Sequence, residues 1–209
     1  MANIFFLDFD GTVCKKDVVA EMVYKFCRPG WQELNHRWEQ GDLSTEDCAK
    51  LTFQLMDASW ADILALVNSM ELDDFFIDFV NLCKNRNYPI YILSDGYTEL
   101  IKLILNRYDL DWIPVYANRL QYNNGLFNIQ CLGLNDNCAK CGACKTNLLQ
   151  QLRGNNQAVY VGDGHSDMCV CHHAQVVFAK DALWNYCLKN NVDAIYYESF
   201  KDIIDWLEK

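Results

Sequence analysis

Proline is scarce in this chain, three in 209 residues, and basic residues are outnumbered: eighteen Lys and Arg stand against twenty-eight Asp and Glu, a formal net charge of −10. A chain of this sign, with a pI near 4.7, repels nucleic acid and anionic membrane surfaces. Runs of Lys or Arg that would reverse the sign locally are absent. No stretch approaches the ~20 consecutive apolar residues of a membrane span. The first ten residues place Asp8 and Asp10 where a secretory leader needs a basic region and a cleavage site. Pro/Gly-rich linkers, low-complexity tracts and internal repeats are also missing. The expectation is a cytoplasmic protein, monomer or homodimer, with neither nucleic acid nor membrane as partner.

Apolar material is plentiful. The composition is 51% hydrophobic and 13% aromatic, which suffices for one sizeable core, or one domain carrying an insertion. Eleven cysteines are many. With no leader in view, disulfides are not expected, and Cys27, Cys48, Cys83 and Cys187 read as small buried hydrophobes. Cys138, Cys141 and Cys144 differ, because two successive C-x2-C spacings bring thiolates within reach of one Zn²⁺ or iron–sulfur centre, with Cys131 as a fourth ligand. The alternative is a metal-free cysteine loop.

Ile4-Phe5-Phe6-Leu7 is a continuous apolar run, the pattern of a strand buried on both faces. From about Asp17 to Lys84 the pattern turns helical for roughly 65 residues. Strands then alternate with helices: Pro89–Leu93, Val115–Ala117, Ala158–Val161 and Val176–Ala179. Asn123-Asn124-Gly125 marks a hairpin between Leu120 and Phe127. This alternation predicts an α/β fold, a doubly wound Rossmann-like parallel sheet, with a helical block inserted after the first strand. The expected division is a catalytic core over 1–14 and 85–209 and a helical cap over 15–84.

In such a sheet, ligands bind beyond the carboxyl ends of the strands. There stand Asp8 and Asp10, then Ser94, Asp95 and Gly96, then Asp163 and Asp167, with Lys145 opening a helix. Two carboxylates 4 Å apart repel by about 4 kcal/mol at an effective dielectric near 20. Gathering several therefore calls for a cation, and oxygen ligands suit Mg²⁺. A hydroxyl, a glycine that lets backbone N–H groups approach and a lysine suit a phosphate. The combination points to phosphoryl transfer.

Asp8-Phe9-Asp10-Gly11-Thr12, Ser94, Lys145 and Gly162-Asp163-Gly164-His165-Ser166-Asp167 resemble, in order and in strand context, the four motifs of haloacid-dehalogenase-like phosphatases. The resemblance implies an Mg²⁺-dependent phosphomonoesterase acting on a small phosphorylated metabolite. Asp8 would be its nucleophile and Asp10 its general acid and base. Asp8, Asp10 through its backbone carbonyl, Asp163 and Asp167 would hold the metal. Ser94, the Asp95-Gly96 backbone and Lys145 would hold the phosphoryl group. The helical insertion is similar to the small cap of the phosphoserine phosphatase branch.

For the substrate, that branch has an acidic residue matched by Asp17 and a cap arginine whose position falls on Thr52, with Lys50 nearby. Asp17 reads equally as a helix cap. The cysteine-rich segment before Lys145 is more similar to the methionine-salvage branch, which acts on 2-hydroxy-3-keto-5-methylthiopentenyl-1-phosphate. Phosphoserine, phosphoethanolamine and phosphocholine are the other substrates weighed, beside a phosphotransferase and a non-catalytic metabolite- or metal-binding module. Trp31, Trp38 and Trp60 read as packing residues before a substrate cage, and His165, His172 and His173 as surface residues.

Overall fold

The computed structural model describes residues 2–132 and 142–209. Strand β1 (Asn3–Leu7) is followed by five helices, α1 (Val18–Phe26), α2 (Trp31–Gln40), α3 (Thr45–Gln54), α4 (Trp60–Ser69) and α5 (Phe76–Asn85). Then come β2 (Ile90–Tyr97), α6 (Thr98–Asn106), β3 (Val115–Asn123), β4 (Leu126–Gln130) and α7 (Lys145–Leu152). The chain closes with β5 (Gln157–Gly162), β6 (Val176–Ala179), α8 (Asp181–Asn190), β7 (Ile195–Tyr196) and α9 (Phe200–Leu207). The seven strands lie in the order β4-β3-β2-β1-β5-β6-β7, all pairs parallel except β3 with β4. The expected α/β sheet is present, with β1 at its centre.

Centrality explains the unbroken apolar run of β1. Phe5 and Leu7 face one hydrophobic layer, while Ile4 and Phe6 face the other. The hairpin falls where Asn-Gly predicts it: Asn124 and Gly125 take φ of 51° and 81°, and Asn123 pairs Leu126. Asp17 caps α1 by accepting the Ala20 N–H at 2.8 Å, and Ser59 with Asp62 forms a full capping box on α4.

Helix α5 packs on the sheet. Phe79 meets Phe5 edge-on at 5.0 Å and Phe200 of α9 at 4.9 Å, and is fully buried. Helices α3 and α4 lean instead on the hairpin side: Phe53 meets Tyr97 at 5.3 Å, and Trp60 stacks on Tyr122 at 6.0 Å. Truncating Phe79 to Ala leaves a cavity that three aromatic neighbours cannot close, so urea denaturation is expected to show a loss of about 3–5 kcal/mol.

Candidate active site

The carboxyl end of β1 turns sharply. Thr12 and Cys14 N–H groups both bond the Phe9 carbonyl, at 3.3 and 2.8 Å, and Gly11 takes φ +74°. A Cβ on Gly11 would stand 2.4 Å from Asp163 Oδ2, so this position needs glycine both for its backbone and for close approach. The turn sends Asp8 and Asp10 to different partners. Asp8 Oδ1 accepts from the Phe9 N–H at 2.7 Å and from Lys145 Nζ at 2.8 Å. Asp10 Oδ1 accepts from the Val18 N–H at 2.8 Å, and its Oδ2 from Ser94 Oγ at 3.4 Å. Gly96 donates its N–H to Ser94 Oγ at 2.9 Å, and a Cβ there would lie 2.6 Å from Asp10 Oδ2.

Lys145, the first residue of α7, is buried with its ammonium among oxygens: Asp167 Oδ1 at 2.7 Å, Ser166 Oγ at 2.8 Å and Asp8. Burial disfavours its charge, but Asp167, Asp8 and Asp95 outweigh burial and hold its pKa above the usual lysine value. Asp167 is fixed from the other side by the Tyr160 hydroxyl and by the N–H groups of Asp163 and Gly164, each at 3.0 Å. Burial pushes Asp167 up, yet Lys145 and these donors prevail and hold it below the carboxylate range. Thr12 Oγ1 donates to Asp163 Oδ1 at 2.8 Å.

The remaining carboxylates stand in the opposite situation. Burial, reinforced by the charge of Asp167, raises Asp8 well above its usual value, against the pull of Lys145. Burial, reinforced by Asp17, raises Asp10 to about 7. Asp163 is raised to about 6, again chiefly by burial. Carboxylate oxygens of Asp8, Asp163 and Asp167 lie within 4.8 Å of one another, a group of three with a single ammonium beside it. Such a crowded all-oxygen donor set fits a hard divalent cation such as Mg²⁺, which would favour the charged forms that burial penalises. The Asp10 carboxylate lies outside that group.

The other expected residues separate. Asp95 sends its carboxylate to the Ala143 N–H at 2.9 Å. Asp17 and Thr52 line a cavity of about 320 Å³ between α1, α2, α3 and the end of β2, with Tyr24, Trp31, Trp38 and Tyr97. Lys50 does not line it and pairs with Glu46 at 2.6 Å. Cys138 and Cys141 lie outside the described residues. Cys131 and Cys144 are half-buried and join no group of three or more candidate ligands among the described residues. His165, His172 and His173 are exposed.

Thr12 and Ser166 stand inside the motifs but were given no role there, and Tyr160 lies outside them altogether. For Tyr160 a signal existed: a hydroxyl-bearing ring inside an otherwise aliphatic buried strand needs a partner, and it finds Asp167.

A model of the haloacid dehalogenase-like hydrolases matches residues 5–172. The chain belongs to this family. Among these hydrolases it stands with phosphatases. It is 27% identical, over 95% of this chain and 92% of the relative, to a 2-hydroxy-3-keto-5-methylthiopentenyl-1-phosphate phosphatase of Bacillus thuringiensis (strain Al Hakam). The protein of the same name from Bacillus cereus (strain AH820) matches equally. In fold, this hydrolase is similar to a phospho-aspartyl intermediate analogue of phosphoserine phosphatase, with TM-score 0.72, 19% identity and 98% of each chain covered. A phosphoserine phosphohydrolase-like protein from Francisella tularensis subsp. tularensis SCHU S4 superposes with TM-score 0.67 at 21% identity, over 99% of each chain.

Proposed function

We propose that this hydrolase is an Mg²⁺-dependent phosphomonoesterase that works through an aspartyl phosphate on Asp8. The observation that carries the reading is the pairing of two carboxylates with different surroundings: buried Asp8 beside an ammonium, half-buried Asp10 beside Ser94 and raised to about 7. With Oδ1 tied to Lys145 and to the Phe9 N–H, attack on phosphorus falls to Asp8 Oδ2, and the P–O bond to the leaving group breaks as the new one forms. Asp10, protonated near neutral pH, gives its proton to the leaving oxygen. As a carboxylate it then takes a proton from the water that hydrolyses the acyl phosphate, which returns both residues to their starting forms. Lys145, Ser94 and backbone N–H groups around Gly96 hold the phosphoryl oxygens. Asp8, Asp163, Asp167 and the Asp10 carbonyl would hold Mg²⁺, which when bound supplies positive charge against the phosphate.

Helices α1–α4 form the cap over this site, and α5, packed on β1 and α9, belongs with the core. The cap cavity supports a substrate whose leaving group carries no negative charge, since no Lys, Arg or His is among its described lining residues. That favours 2-hydroxy-3-keto-5-methylthiopentenyl-1-phosphate, the substrate in the relatives' name, over phosphoserine. A second reading, phosphoethanolamine or phosphocholine, is favoured by the aromatic residues Tyr24, Trp31 and Trp38 of that lining, with the acidic Asp17 among them.

A panel of these four esters, assayed with Mg²⁺ and with EDTA, tests the proposal. The expected result is chelator-sensitive phosphate release, with phosphoserine at least about tenfold poorer in kcat/KM than the methylthio ester. Preference for phosphoserine would refute the cavity argument.

A further inference from the structure

Strands β2 and β3 pair regularly up to Leu93 and again at Tyr97 opposite Asn118, but the register breaks between them. The break releases Ser94, Asp95 and Gly96 from the ladder, which is what allows this segment to face Asp10. It also leaves backbone groups to be satisfied in a buried place. Asn118 does so with its side chain: Nδ2 donates to the Asp95 carbonyl at 2.8 Å, while Oδ1 accepts from the Leu132 N–H at 3.0 Å. Its side chain is buried, and Gly142 lies so close that a Cβ there would stand 2.8 Å from Asn118 Nδ2. The Asp95 carboxylate meanwhile accepts from the Ala143 N–H, two residues before Lys145. One amide thus joins the β2 bulge to Leu132 and packs against Gly142, while Asp95 itself carries the link on to Ala143.

We propose that Asn118 is a positioning residue for the reaction: with Asp95 it clasps the β2 bulge to the start of α7, and so sets where the Lys145 ammonium stands relative to Asp8 and Ser94. The inference rests on the phosphatase reading above. A leucine at 118 would fill the same volume but leave the Asp95 carbonyl and the Leu132 N–H without their partner, so that the Asp95–Ala143 bond would tie the helix start to a bulge no longer fixed in place.

The test uses Asn118→Ala, Gly142→Ala, Asp95→Ala and the Asp95→Ala/Asn118→Ala double variant, assayed with p-nitrophenyl phosphate and Mg²⁺ well below their melting temperatures. Inorganic phosphate serves as the competitive probe. Asn118→Ala is expected to lower kcat/KM by about 10- to 100-fold and to weaken phosphate inhibition in parallel, the scale set by small misplacements of reacting groups. The double variant is expected to be no worse than the poorer single one within about twofold, since both residues act through one clasp. Gly142→Ala, which crowds the same amide without removing it, moves both readouts in the same direction and carries the test if Asn118→Ala does not fold. A purely structural role predicts lower melting temperatures with kcat/KM and phosphate inhibition unchanged, or multiplicative losses in the double variant; either result overturns the inference. Turnover that Asp8→Asn abolishes but these variants leave intact overturns the clasp alone. Wild-type protein without turnover overturns the phosphatase reading and the clasp with it.

Discussion

Asp8→Asn is expected to lower kcat by about 10⁴-fold or more while leaving the protein at least as resistant to heat as the wild type. The first half follows from the proposed role: an amide cannot serve as the attacking carboxylate, and loss of a nucleophile removes the acyl phosphate route altogether. The second half follows from electrostatics. Asp8 is buried among Asp163 and Asp167, and burial raises its pKa well above the usual value, so its charge is a cost to the metal-free fold. Asparagine keeps the shape, removes that charge, and leaves Lys145 with Asp167 and Ser166. Steady-state kinetics together with thermal melts in EDTA check both halves. A variant that melts well below wild type would show that Asp8 is held chiefly as the structural counter-ion of Lys145.

Lys145→Met is expected to cost both activity and stability. Removal of the ammonium deprives the transferring phosphoryl group of its buried positive partner, an effect of about 10²–10³ in kcat for a single preorganised donor. It also strips Asp8 and Asp167 of the charge that offsets their burial, and breaking a buried pair from one side costs about 3–5 kcal/mol. Added Mg²⁺ should recover part of that loss, because a cation among the three carboxylates opposes the same repulsion. Denaturant melts with and without Mg²⁺ measure it. Opposite signs of the stability change for Asp8→Asn and Lys145→Met are the signature of a carboxylate-rich centre. Equal losses in both would mean that the site is held together as a simple ion pair.

Much of this centre was legible in the chain before its coordinates. A buried strand that stops at Asp-x-Asp-Gly-Thr, in a βα alternation, can only bring its acids to the sheet edge where the other motifs end. The hairpin was equally legible, since Asn-Gly has few other uses between two apolar runs. The partners of each carboxylate were not. Asp8 meets Lys145, while Asp10 meets the Val18 N–H and Ser94, partners drawn from three separate elements. The Asp95 backbone read as part of the phosphate cradle; that its carboxylate also reaches the Ala143 N–H, 48 residues away, is a contact no local pattern encodes. Lys50 carried a charge at the right distance along the chain, but Glu46 one helical turn earlier claims it. Trp31 and Trp38 illustrate a different limit. Helical periodicity places them on one face of α2, yet whether that face meets a neighbour or a cavity depends on how α1 and α3 pack around it.

The most direct measurement is to mix the enzyme and Mg²⁺ with a phosphomonoester bearing radiolabelled phosphate, quench in acid within one turnover, and map the labelled peptide. Label on the peptide containing Asp8, absent from Asp8→Asn and discharged by hydroxylamine as acyl phosphates are, is the expected result. Phosphate released at the full rate with no labelled protein at any time within that turnover would contradict covalent catalysis by Asp8.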